Sequence, residues 1–112
     1  MDVKQTILSD FQVMLAMTQP YVLESDKHDP TSIKTCLRNV EQRAMQAGVV
    51  IKMPGSGISS DDKKKIDMYL GQIHTSIKSL REMDPYSAAY FSARMGDMSR
   101  SIQQGISIVR QL

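Results

Sequence analysis

Residues 60–111 read SDDKKKIDMYLGQIHTSIKSLREMDPYSAAYFSARMGDMSRSIQQGISIVRQ, and this stretch decides the fold. Apolar residues recur every three or four positions on both sides of a break at Met83-Asp84-Pro85, a spacing that places them on one helical face. The stripes contain Ile66, Leu70, Ile73, Ile77 and Leu80 before the break, and Ala88, Phe91, Met95, Met98, Ile102, Ile106 and Val109 after it. The stretch therefore predicts a hairpin of two long helices, at about residues 60–83 and 85–111.

The amino-terminal half contains two more segments with helical spacing. The first covers about residues 2–19 and should end or bend before Pro20, because proline removes a backbone donor and crowds the preceding turn. The second covers about residues 31–47 and follows Asp29-Pro30, an amino-terminal cap followed by a proline that the first helical turn tolerates. The chain thus predicts four helices in sequence.

The segment from Gly48 to Ser59 separates the second and third predicted helices. It begins with a β-leaning run at residues 49–51 and continues with Gly55 and Gly57, so we expect a flexible connector at residues 48–59. Its two glycines superficially match the start of a nucleotide-binding turn. However, the third glycine is replaced by Ser60, and the alternation of strands and helices that such a turn requires is missing.

The length of 112 residues suits one domain with a single core. We expect an all-α, up-and-down four-helix bundle over residues 1–112. The second helix is the least hydrophobic, and nine methionines suggest an adaptable core. An alternative is therefore a bundle that is completed by homodimerisation.

The sequence indicates a protein of a reducing compartment that does not span a membrane. Cys36 is the single cysteine, it cannot form a disulfide within the chain, and its apolar helical position indicates a buried thiol rather than a nucleophile. No apolar stretch approaches the roughly 18–20 residues of a membrane-spanning helix, and residues 1–5 do not resemble a secretory signal. We expect a cytoplasmic protein.

The chain offers few groups for catalysis or metal binding. His28 and His74 lie far apart, and neither has a cysteine or carboxylate at the spacing of metal ligands. No Glu-x-x-His pair indicates a metal site in the bundle, and no P-loop ending is present. The sequence therefore predicts no enzyme activity, no metal and no cofactor.

A stripe of small residues on the fourth predicted helix is the feature most suggestive of function. Small side chains at this spacing let another helix approach closely, either inside the bundle or from another chain. We predict a noncatalytic protein-protein interaction module, such as an adaptor, assembly factor, secretion chaperone or inhibitor, that binds another protein or itself. The candidate partner-binding residues are Ala89, Ser92, Gly96 and Ser99, with Val50, Ile51 and Met53 as an apolar anchor.

Nucleic-acid binding is the alternative function. It requires several basic residues on one surface, because neutralisation of phosphates supplies most of the affinity. The candidates lie on the second and third predicted helices and are Lys34, Arg38, Lys63, Lys64 and Lys65. Acidic residues at positions 61, 62 and 67 dilute the lysine run, and no base-stacking aromatic residues alternate with the candidates, so we rank this function second.

Overall fold

The structure, a computed structural model, describes residues 2–23, 29–82 and 88–112. Within these ranges the chain forms helices α1 (Val3–Leu23), α2 (Pro30–Ile51), α3 (Ser60–Arg81) and α4 (Ala88–Arg110). The predicted break at residues 83–85 and the position of His28 lie outside the described residues. The predicted all-α fold is confirmed, since the described residues contain helices and no strand.

The helices form a ring in which each one packs on two others. Neighbours in the chain pack together, and α4 packs on α1, which closes a bundle with extents of 45 × 20 × 19 Å. The contact between α2 and α3 is the least extensive of the four. The apolar stripes predicted for α3 and α4 are buried from Ile66 to Leu80 and from Phe91 to Val109, and they form the core together with α1 and α2.

The predicted end of α1 before Pro20 is wrong, because the helix continues to Leu23. A proline near the end of a helix removes only one of its late hydrogen bonds, and contacts beyond it offset that loss. Tyr21 packs against the core, and its hydroxyl lies 3.2 Å from the carbonyl oxygen of Ser32, to which it donates a hydrogen bond. This contact fixes the last turn of α1 against the first turn of α2.

The predicted end of α2 at residue 47 is also wrong, because the helix continues through Gly48 to Ile51. Ile51 is 1% exposed, so the added turn places one more side chain of the helical stripe in the core. A Cβ atom at Gly48 would lie 4.0 Å from Leu70 of α3, within ordinary contact distance. The burial of Ile51 therefore outweighs the low helix propensity of Gly48 and of the three β-branched residues that follow it. The connector is shorter than predicted and covers residues 52–59.

The predicted cap of α2 is confirmed, and α3 begins with a cap of the same kind. The Asp29 side chain accepts a hydrogen bond from the backbone N–H of Ser32 at 2.8 Å, and Ser59 accepts one from the N–H of Asp62 at 3.1 Å. Gly55 and Gly57 of the connector have φ angles of 77° and 76°, which residues with a side chain rarely adopt. The buried Ile58 then anchors the connector before α3 begins.

Helices α1 and α4 approach each other closely at Gly105. Phe11 is fully buried, and its ring lies against the backbone of Gly105. A Cβ atom added at Gly105 would lie 2.5 Å from Cε1 of Phe11, closer than nonbonded carbon atoms come. The absence of a side chain at position 105 is therefore what lets α1 and α4 pack at this distance.

Candidate functional site

The described residues offer no cluster of metal-ligating side chains. Among residues 2–23, 29–82 and 88–112, no three His, Cys, Asp or Glu side chains cluster as metal ligands would. None of the described helices combines the length and the apolar content that crossing a membrane requires. His74 is half-buried at the edge of the α3 stripe, as its sequence position indicates.

Cys36 is a buried thiol at the contact of α1 and α2. It is 6% exposed, and its Sγ lies 3.4 Å from the carbonyl oxygen of Met17, to which it donates a weak hydrogen bond. Burial raises the pKa of the Cys36 thiol from 9.0 to about 11. Since the thiolate is the nucleophile, this environment makes Cys36 unreactive at neutral pH.

Cys36→Ala should change how stability depends on pH. Below pH 9.0 the wild-type thiol is protonated in both states, whereas between pH 9.0 and about 11 it ionises only in the unfolded chain. Ionisation then favours unfolding, so wild type should lose stability relative to Cys36→Ala over this window. Urea denaturation at pH 7, 9, 10 and 11 gives the two free energies of unfolding. A difference that stays constant with pH would contradict a buried, neutral thiol.

The predicted small-residue stripe on α4 is only partly at the surface. Ala89 is exposed, and Ser92 and Gly96 are half-buried. Ser99 is 4% exposed and accepts a hydrogen bond from Nε2 of Gln103 at 3.3 Å. A Cβ atom at Gly96 would meet only the Arg100 side chain, at 3.9 Å, so no other described helix approaches this position closely.

The predicted apolar anchor is divided between the core and the surface. Ile51 belongs to the core and cannot present its side chain to a partner, which corrects its assignment. Val50 is half-buried against the core, and Met53 is 40% exposed. Only Met53, and in part Val50, therefore remain available at the surface.

The outer face of α2 carries an exposed apolar stripe, defined here as Met45, Val49 and Met53. These side chains are 58%, 61% and 40% exposed, respectively. Met45 and Val49 are four residues apart and share one face of α2, and Met53 follows the cap residue Lys52 just beyond the end of the helix. Sequence reasoning missed the stripe because it ended the helix at residue 47, before Val49 could share a face with Met45.

A shallow groove runs beside the apolar stripe, between α1 and α2. It has a volume of about 760 Å³. It is lined by Asp2, Gln5, Thr6, Ser9 and Asp10 of the α1 region and by Arg43, Met45, Gln46, Val49 and Val50 of α2. Nη1 of Arg43 lies 3.2 Å from Oδ1 of Asp10, whose side chain is 6% exposed. The groove therefore combines apolar residues of α2 with polar and charged residues from both sides.

A second groove, here called the α2–α3 groove, opens between the start of α2 and the end of α3. It has a volume of about 830 Å³. Its lining residues are Pro30, Thr31, Ile33, Lys34, Thr35, Leu37, Arg38, Leu80, Arg81 and Phe91. Arg81 spans the gap at one end, where its guanidinium donates hydrogen bonds of 2.8 and 3.1 Å to the two carboxylate oxygens of Glu41. This geometry agrees with the limited contact between α2 and α3.

The structure does not bring the five basic candidates for nucleic-acid binding together. Lys34 and Arg38 lie in the first half of α2, at the α2–α3 groove. Lys63 and Lys64 line a small pocket with Lys52, beyond the end of α2, and Lys65 is their exposed neighbour. Fourteen residues separate positions 38 and 52, which is about 20 Å along a helix. The candidates therefore form two separate basic patches near opposite ends of the bundle.

Comparison of the chain with protein-family models, with curated proteins and with solved structures finds no match.

Proposed function

We propose that this protein is a noncatalytic protein-protein interaction module, of the adaptor, assembly factor, secretion chaperone or inhibitor type. It binds an amphipathic helix of another protein along the outer face of α2. The unpaired, buried Cys36 supports a reducing compartment such as the cytoplasm as its place of action.

The observation that carries this proposal is the apolar stripe. Met45, Val49 and Met53 account for three of the five large apolar residues that are exposed in the described part of the chain. Scattered apolar residues are common on protein surfaces, but a contiguous line along one helix is typical of an interaction surface. Methionine also suits a binding surface, because its flexible thioether side chain adapts to the shape of a partner.

The groove beside the stripe favours a single helix as the bound element. A helix lying between α1 and α2 would contact Val49 and Val50 on one side and the polar residues of α1 on the other. A second copy that contributed only the same three side chains would bury far less than the roughly 800 Å² per partner of a stable interface. A helix of another protein is therefore the occupant that the surface fits better.

The proposal is tested by replacing the apolar stripe without disturbing the core. Val49→Gln combined with Met53→Gln replaces two exposed apolar side chains with polar ones, one on α2 and one just beyond its cap. Wild type and variant are used as baits in extracts of the producing cells, and bound proteins are quantified by mass spectrometry. We expect at least one protein to be enriched by wild type and to fall at least tenfold with the variant.

Met68→Gln is the matched control. Met68 is 50% exposed but lies on α3, facing the seam with α4 and away from the stripe. The control should retain the partner that the stripe variant loses, with equal helicity by circular dichroism. Equal retention by all three baits would refute the proposal. A concentration-dependent dimer in light scattering that only the stripe variant abolishes would also refute it, because the stripe would then serve self-association.

Nucleic-acid binding is the weaker proposal, since no continuous surface unites its five basic residues. Asp61 and Asp62 lie in the same first turn of α3 as the lysine run. Their carboxylates oppose the binding of phosphate at that end of the bundle.

A further inference from the structure

We propose that the α2–α3 groove is a second docking site and that it binds an acidic amphipathic helix. This groove lies on the α3 side of α2 and shares no lining residue with the groove beside the apolar stripe. This inference can therefore be tested separately from the function proposed for the stripe.

The floor of the α2–α3 groove is apolar and comes from three helices. Ile33 and Leu37 of α2, Leu80 of α3 and Phe91 of α4 all line it. Leu37, Leu80 and Phe91 are also parts of the buried core, so the floor is fixed by packing from beneath. A rigid apolar floor between two helices suits the apolar face of a third helix, which presents side chains at every third or fourth position.

The rim of the same groove is basic. Lys34 and Arg38 are exposed on the α2 side, and Arg81 stands on the α3 side. Among the described residues that line the groove, none is acidic. Lys34 and Arg38 form no salt bridge with any described residue, whereas Arg81 is paired with Glu41. Two cations that form no ion pair within the described part of the chain, beside an apolar floor, favour a helix whose polar face carries carboxylates.

The positions of these cations fit one helix lying along α2. Lys34 and Arg38 are four residues apart, so they lie about 6 Å from each other along the axis of α2. Carboxylates spaced four residues apart on a partner helix repeat the same distance. Each cation therefore meets its own carboxylate while the apolar face of the partner covers Ile33 and Leu80.

The probe for this site is a synthetic 14-residue helix with leucine at every third or fourth position and glutamate at the other positions, held helical by a hydrocarbon staple. A twin peptide carries lysine in place of each glutamate. Fluorescence anisotropy is measured for both at several salt concentrations. We expect the acidic peptide to bind at least tenfold more tightly than its basic twin, with an affinity that falls as salt rises.

Two charge-reversal variants identify the surface. Lys34→Glu with Arg38→Glu should weaken binding of the acidic peptide at least tenfold. Lys64→Glu with Lys65→Glu makes the same change in net charge at two exposed positions near the other end of the bundle, and it should leave binding within about twofold of wild type. Amide chemical-shift changes on binding should centre on residues 30–38 and 80–81.

The same measurements can overturn the inference. An equal loss of affinity in both charge-reversal variants would show a general effect of net charge rather than a docking site. Absence of binding by the acidic peptide, or shifts confined to the apolar stripe, would also overturn it. The Val49→Gln, Met53→Gln protein should bind the acidic peptide as wild type does, so failure here is distinguishable from failure of the proposed function.

Discussion

Gly105→Ala should destabilise the bundle by about 1–3 kcal/mol, the usual cost of overpacking a filled core. The new Cβ would lie 2.5 Å from Cε1 and 2.9 Å from Cζ of Phe11. The Phe11 ring is fully buried, so a shift of the ring would disturb the side chains packed around it. This steric cost outweighs the gain of up to about 1 kcal/mol that alanine gives over glycine inside a helix.

At two other helical glycines, replacement by alanine should raise the free energy of unfolding instead of lowering it. A Cβ atom at Gly71 would meet nothing within 4 Å, and one at Gly96 would meet only Arg100 at 3.9 Å. Gly71→Ala and Gly96→Ala should each stabilise the protein by up to about 1 kcal/mol. Urea denaturation of the three variants measures the differences in the free energy of unfolding. Stabilisation by Gly105→Ala would contradict the close packing of α1 on α4.

Arg43→Met should lower the free energy of unfolding by about 1–2 kcal/mol at pH 7, because it leaves a nearly buried carboxylate without its cation, although the Arg43 side chain is itself 42% exposed. Asp10 is 4% exposed, and its Oδ1 lies 3.2 Å from Nη1 of Arg43. Methionine retains most of the aliphatic volume of arginine, so the loss is chiefly electrostatic. Thermal or urea denaturation measures it.

Two controls separate this pair from an ordinary surface ion pair. Arg81→Met removes the partner of Glu41, but the side chains of Arg81 and Glu41 are 43% and 31% exposed, so the loss should stay below about 1 kcal/mol. In an Asp10→Asn background, Arg43→Met should cost much less than in wild type, because no buried charge is then left unpaired. Equal costs for Arg43→Met in both backgrounds would contradict this explanation.

The fold was predictable because long apolar stripes determine which face of each helix is buried. From Ile66 to Leu80 the spacing alone identified side chains that the structure buries. The helix ends were less predictable, since Pro20 and Gly48 are local stop signals whose effect depends on what lies beyond them. Tyr21 and Ile51 make contacts in the folded bundle that extend α1 and α2 past those signals.

The candidate surfaces could be predicted only in part, because they depend on where the helices end and on how the helices pack. Val49 and Met53 join Met45 in a stripe only if α2 continues past Gly48, which its sequence does not indicate. A glycine inside a helix generally weakens it, whereas Gly105 is the position where the Phe11 ring of α1 meets the backbone of α4. The α2–α3 groove depends on how far apart two helices lie, and the sequence of neither helix determines that distance.

Site-specific photo-crosslinking in the producing cells tests the protein-binding claim most directly. A photoreactive amino acid at position 49 lies in the apolar stripe, and one at position 68 lies at a comparably exposed position on α3. We expect an adduct with a distinct protein from position 49 that is absent from position 68 and is lost when Met45 and Met53 are replaced by glutamine. Identical adducts from both positions, or none from position 49, would contradict the assignment of the outer face of α2 as a binding surface.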